Sequence, residues 1–132
     1  MNPQTIFLTL EQVLFIHEDQ IARYGGSHGV RDFGLLESAI LRAQTTFGGQ
    51  ELYPSIFEKA SALMHSLVKN HAFVDGNKRT ATVSTLTFLV LNGYQIVVSQ
   101  GALVAFSLSV ENNKLPLEKI ALWLKKYSKK KR

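Results

Sequence analysis

The sequence has no cysteine, three prolines and one tryptophan in 132 residues. Without thiols there is no disulfide framework, no thiolate nucleophile and no cysteine-ligated zinc, a composition suited to a reducing cytoplasm. Long apolar runs are also missing. The most apolar stretch, Ala102 to Val110, falls well short of the ~20 residues that span a bilayer, so no membrane partner is expected. The first residues lack the basic-then-apolar layout of a signal peptide, which again points to the cytoplasm. With 45% hydrophobic and 19% charged residues, the chain reads as an ordinary globular protein rather than a disordered one. Its length predicts a single domain over residues 1–132 with a real core.

The formal net charge of +5 is concentrated: residues 125–132 hold six of the fifteen cations, leaving the remainder about neutral. Such a tail can hold nucleic acid through phosphate contacts. It can equally be a frayed, solvated end that complements the negative terminus of the last helix. No aromatic residue interleaves with the final basic run, which favours the frayed end and makes nucleic acid an unexpected partner.

The dominant periodicity is helical. Leu10, Val13, Leu14, His17, Ile21 and Tyr24 keep one-face spacing after a Thr9 cap, and Gly25-Gly26 stops that helix. Asp32 caps a second helix that places Leu36, Ala39, Ile40 and Ala43 inward and ends at Gly48-Gly49. Pro54 fits the first turn of a third helix carrying Ile56, Phe57, Ala60, Leu63, Met64, Leu67 and Val68. A fourth runs from about Asn77 to Asn92. Gln95 to Val98 reads as extended, Ser99 caps a fifth helix to about Val110, and Pro116 opens a sixth. The expected fold is all-α, a compact bundle of about six helices without repeat or linker.

Between the third and fourth helices lies His71-Ala-Phe-Val-Asp-Gly-Asn-Lys-Arg79, nine residues that unite a base, a carboxylate, a glycine, an amide and two cations. An imidazole ordinarily titrates near about 6.5, so His71 can take a proton from an alcohol at neutral pH. The hard oxygens of Asp75 suit Mg²⁺, which binds one or two carboxylates plus phosphate oxygens and water; they can also cap the next helix. Gly76 allows a positive φ and close approach of a phosphate. Asn77, Lys78 and Arg79 then form a helix start whose backbone donors face an anion. Cations there oppose the macrodipole by a few tenths of a kcal/mol each. A bound polyphosphate, gripped by Arg79 and Lys78, would reverse that sign. Phe73 and Val74 read as hydrophobic anchors. His17 and His65 read as structural, while His28 and Arg31, in and just after the glycine-rich segment 25–29, are within possible reach of a ligand. That segment matches no phosphate-binding fingerprint.

The nine-residue motif resembles the signature of the Fic/Doc superfamily, His-x-Phe-x-(Asp/Glu)-Gly-Asn-Gly-Arg. Lys78 in place of the second-last glycine is similar to the death-on-curing (Doc) branch, the toxins of toxin–antitoxin pairs. Tyr24-Gly-Gly-x-x-Gly-Val-Arg-Asp32, Gly34-Leu-Leu-Glu-Ser-Ala39, Tyr53-Pro54 and Lys69-Asn70 extend the likeness over most of the chain. The resemblance implies a Fic/Doc-type helical fold and a kinase that moves the γ-phosphate of ATP to a threonine of elongation factor Tu, arresting translation. By position, His71 would activate the hydroxyl, Asp75 would hold Mg²⁺, and Gly76, Asn77, Lys78 and Arg79 would bind the phosphates. Relatives with glycine at the lysine position transfer AMP, so protein adenylyl transfer is the alternative, and a non-catalytic protein-binding module a further one. Ala72 departs from the usual proline, which would stiffen the loop.

Fic enzymes are often silenced by a Ser/Thr-x-x-x-Glu-Gly/Asn helix whose glutamate pairs with the motif arginine, a string that Ser107-Leu-Ser-Val-Glu-Asn112 fits. A composition like this one produces it by chance about 0.1 times, and Ser107 to Val110 read as core helix. In Doc systems the resemblance implies a separate antitoxin whose disordered tail folds onto the toxin.

Overall fold

A computed structural model describes residues 4–131. Six helices form as the periodicity predicts: α1 Leu10–Tyr24, α2 Phe33–Leu41, α3 Ile56–Asn70, α4 Asn77–Leu91, α5 Gln100–Glu111 and α6 Leu117–Lys126. Local chemistry sets their starts. Thr9 and Gln12 form a reciprocal capping box on α1, and Asp32, Ser55 and Ser99 each accept the N–H three residues on; such caps stabilise a helix by about 1 kcal/mol.

Helix α3 is the central element, packed against α2, α4 and α6, while α1 lies on α4. Its Ala60, Leu63, Met64, Leu67 and Val68 are buried with Phe88 and Leu89 of α4, Ile120 and Leu124 of α6, and Leu36 and Ile40 of α2. Full burial of the Val, Leu, Ile, Met and Phe side chains among them contributes about 1.5–3 kcal/mol each. The architecture therefore presents the α3–α4 junction on the best-supported pair of helices.

Four expectations are corrected. The second helix stops at Leu41; a 3₁₀ turn, Arg42–Gln44, leads into a hairpin of β1 Thr46–Phe47 and β2 Gln50–Glu51. Gly48 and Gly49 both have positive φ, 59° and 81°, as a two-residue hairpin turn requires, so this pair turns a hairpin rather than ending a helix. Pro54 precedes the third helix instead of lying in its first turn, because Ser55 has the side-chain oxygen that can cap. Tyr24, assigned to the inner face of α1, is exposed.

The last correction concerns the basic tail. Residues Ser128–Lys130 form β4, antiparallel to β3 Tyr94–Ile96, with Tyr94 opposite Lys130 and Ile96 opposite Ser128. Val97 N–H donates to Tyr127 O and Lys131 N–H to Gly93 O, both at 2.8 Å. The segment is not frayed. Arg132 lies outside the described residues.

Candidate active site

The motif occupies the α3–α4 junction. His71 is the C-cap of α3 in the left-handed region, φ 48° and ψ 48°, a conformation costing a non-glycine residue about 1–2 kcal/mol. The surroundings hold it there. Arg31 Nε donates to His71 O at 2.8 Å and its Nη2 to Asn70 O at 3.2 Å. The N–H groups of Arg31 and Asp32 both donate to Ala72 O. The His71 imidazole is exposed and has no hydrogen-bond partner among the described residues, so its backbone is fixed while its ring is free to take a proton.

The next residues fix the loop. Phe73 is buried and stacks on His17, ring centroids 3.8 Å apart and 7° from parallel. Its N–H donates to Asn77 Oδ1 and its carbonyl accepts from Asn77 Nδ2, both at 2.9 Å. The Asn77 side chain is thus a staple across the loop, which leaves its backbone N–H and one hydrogen of Nδ2 to meet an anion. The rigidity that a proline at position 72 would supply comes instead from these bonds and from the Val30–Phe73 bridge. Val74 is 56% exposed and anchors nothing.

Asp75 faces the glycine-rich segment. Its Oδ2 accepts from Ser27 N–H at 3.1 Å and its Oδ1 from Gly76 N–H at 2.8 Å. The Ser27 N–H, then the Gly76 N–H, with the nearby Arg79 and His17, hold the carboxyl below the usual carboxylate range. A Cβ on Gly26 would lie 2.7 Å from Asp75 Oδ2, so only glycine lets the two loops meet. Asp75 does not cap α4; Gly76, at φ 75°, is the N-cap, with no side-chain bond. The N–H groups of Asn77, Lys78 and Arg79 start the helix without intrahelical acceptors, at its positive end.

The two cations have partners inside the protein. Arg79 Nη2 donates to Gly25 O at 2.8 Å and Nη1 to Gln20 O at 3.4 Å, so its guanidinium clamps the negative end of α1. Lys78 Nζ lies 3.6 Å from Glu111 Oε1 at the end of α5, and the Glu111 carbonyl accepts from Lys69 Nζ at 2.8 Å. Their position at a helix start therefore has an explanation within the fold and does not by itself indicate phosphate. Ser107 is buried and shares a hydrogen bond with Thr82 at 2.8 Å. Glu111 meets Lys78, not Arg79.

His71, Val74, Asp75, Gly76, Asn77, Lys78, Arg79 and Glu111 line one cavity of about 290 Å³. All six site residues read from the sequence are there; Glu111 was not among them. None of the other histidines lines this cavity, although His17 supports the motif from beneath. His17 Nε2 donates to Asp75 O at 2.8 Å, His28 Nδ1 meets Glu18 at 2.8 Å, and His65 Nδ1 accepts from Arg42 Nη1 at 3.1 Å. Burial first, then the charges of Arg42 and Lys69, lower the His65 pKa. No group of three or more potential metal ligands occurs among the described residues. Asp75 fits a Mg²⁺ that draws its other ligands from phosphate and water, since its charge is retained and each oxygen has a spare lone pair.

The molecule is thus a six-helix bundle with an exposed histidine beside an open helix start. Residues 7–89 match the Fic/DOC family, and the chain belongs to that family. It is 52% identical over 73 residues to Toxin Doc of Mycolicibacterium smegmatis, covering 55% of this chain and 56% of that protein. It is 37% identical over 86 residues to Protein kinase doc of Escherichia phage P1, covering 65% of this chain and 68% of that one. The match thus spans little more than half the length of the first relative.

Proposed function

We propose that the protein is a toxin of a toxin–antitoxin pair that transfers the γ-phosphate of ATP to a threonine hydroxyl of elongation factor Tu, with a cognate antitoxin, bound through a disordered tail, as its inhibitor. The observation that carries this reading is the shared cavity, in which an exposed, conformationally fixed His71 faces the free N–H groups, Asp75, Lys78 and Arg79. The names of the two relatives support the toxin and the kinase assignments.

In this reaction the threonine oxygen attacks the γ-phosphorus, the bond from that phosphorus to the bridging oxygen breaks, and ADP leaves. The hydroxyl proton passes to the His71 imidazole. The N–H groups of residues 77–79 and the side chains of Lys78 and Arg79 neutralise phosphate charge. Mg²⁺ held by Asp75 would supply further charge neutralisation. Lys78 and Arg79 exchange their Glu111 and carbonyl partners for phosphate oxygens.

Protein adenylyl transfer is the second reading, favoured by one feature: Lys78 leans on Glu111, which leaves the helix start open. Incubation with Mg²⁺, purified elongation factor Tu and either γ- or α-labelled ATP separates the two. Label from the γ position alone supports the kinase. Label from the α position alone sinks it.

A further inference from the structure

The cations of this chain form two populations. Seven precede residue 112, and each has a partner in the fold. Arg23, Lys59 and Lys78 meet carboxylates. Arg31, Lys69 and Arg79 donate to backbone carbonyls, and Arg42 to Tyr53, His65 and Ser66. Residues 112–132 hold the other eight, with Glu118 as their sole carboxylate, a formal +7 against −2 for residues 1–111. Among the described residues, none of the seven lysine side chains from Lys114 to Lys131 meets a carboxylate or a hydrogen-bond acceptor.

Five of them, Lys125, Lys126, Lys129, Lys130 and Lys131, are carried on ordered backbone, the last turn of α6 and strand β4 with the residue after it, at the opposite end of α4 from the motif, while Lys114 lies in the α5–α6 turn and Lys119 in the first turn of α6. Mutual repulsion of unpaired like charges works against the fold, so a counter-charge from outside would stabilise it. The surroundings narrow what supplies that charge. Trp123 stacks on Phe106 at 3.8 Å and packs on Tyr127 at 4.8 Å, while Tyr94 packs edge-on against Phe57. The rings are used internally and offer no platform for unstacked bases. On α6, Ile120 and Leu124 are buried and Leu122 is the one large apolar side chain left exposed, which is short of the outward apolar stripe of a membrane-surface helix. An apolar groove of Leu52, Phe57, Leu117, Ala121 and Leu122 beside Lys125 could anchor a protein, but Lys129, Lys130 and Lys131 do not line it and provide no anchor of their own. Regularly spaced phosphates need only charge. A two-stranded ribbon also fits the major groove of B-form DNA, whereas that of an RNA duplex is too narrow.

We propose that the α6–β4 end of the molecule docks on the phosphate backbone of duplex DNA without reading its sequence. The test is fluorescence anisotropy of the full chain with a labelled duplex of about 20 base pairs, in two unrelated sequences, over a salt titration. Expected are equal affinities for both sequences and a log–log salt slope of about −4, the value for four to five neutralised phosphates. Replacing Lys129, Lys130 and Lys131 by Gln should flatten that slope by about 2–3 and weaken low-salt binding at least tenfold, with phosphotransfer unchanged. Should that variant fail to fold, Lys125→Gln with Lys126→Gln in the last turn of α6 decides, through a slope smaller by about 2. A flat slope, binding unaffected by the substitutions, or tighter binding to single strands, RNA duplex or polyglutamate overturns the proposal.

Discussion

Around the motif loop every cation is already paired with an oxygen of the protein; at the α6–β4 end none of the described ones is, and Lys126 has only the face of the Tyr127 ring, 5.3 Å from its centroid. The two ends would therefore bind anions by different thermodynamics. At the motif, phosphate must displace Glu111 from Lys78 and backbone carbonyls from Arg79, so affinity depends on geometry and the swap is one of direct partners. At the ribbon, an anion displaces only water and counterions, and the gain is the entropy of ion release. Salt should therefore weaken nucleotide binding modestly and ribbon binding steeply, although similar residue types do both jobs.

Several substitutions break or sharpen this contrast. His71→Ala is expected to lower phosphotransfer by about 10²–10⁴, measured in single-turnover assays, and to leave the salt slope of DNA binding unchanged. An equal loss from the ribbon substitutions would erase the distinction between the ends. Lys78→Gly should shift labelling toward the α position, and a γ-to-α ratio that stays fixed would show that Lys78 does not select the group. Arg31→Ala removes the donors to the His71 and Asn70 carbonyls. Loss of such charged hydrogen bonds should cost about 1–3 kcal/mol in urea unfolding and lower kcat more than it changes KM. If activity survives intact, the left-handed His71 is not held for catalysis.

The smallest effect is a pH dependence. His65 has a lowered pKa, so the unfolded state binds a proton that the native state does not; stability is full above about 6.5 and declines as pH falls below it. Asp75 is also lowered, but as an acid: its contribution is present above about 3.9 and is lost only as pH falls through its lower folded value. Amide exchange between pH 7 and 5 should thus loosen the hairpin anchored by Arg42 and His65 while residues 72–77 stay protected. Loosening of both together would contradict this order.

Much of this was legible in the sequence where the cause is local. Thr9, Asp32 and Ser99 announce helix starts because capping acts within three residues, and the nine motif residues converge because consecutive positions cannot be far apart. What escaped depends on distance. Gly48-Gly49 serves equally as a helix stop and a hairpin turn, and only the pairing of Thr46 with Glu51 decides. The Arg79 clamp spans 54 residues, and the Lys78–Glu111 pair joins two helices. Arg31 was visible as a residue but its grip on the α3 terminus was not. Strand β4 lacks alternation of apolar and polar residues, so nothing but its partner β3 reveals it.

The turn after α4 has a further consequence. Asn92 Oδ1 accepts from Ile6 N–H and its Nδ2 donates to Ile6 O, each at 2.8 Å, while Gly93 O accepts from Lys131 N–H at 2.8 Å. Adjacent residues thus hold segments from opposite extremes of the described chain. Helix α4, fifteen residues long, puts this corner about 22 Å from the motif at 1.5 Å per residue. A short linker joining position 4 to position 131 would circularise the fold with little strain, and new ends could then be opened at the exposed Gly48-Gly49 tip. A fluorophore or tether attached at position 4 or 131 would report from one corner, well clear of the motif.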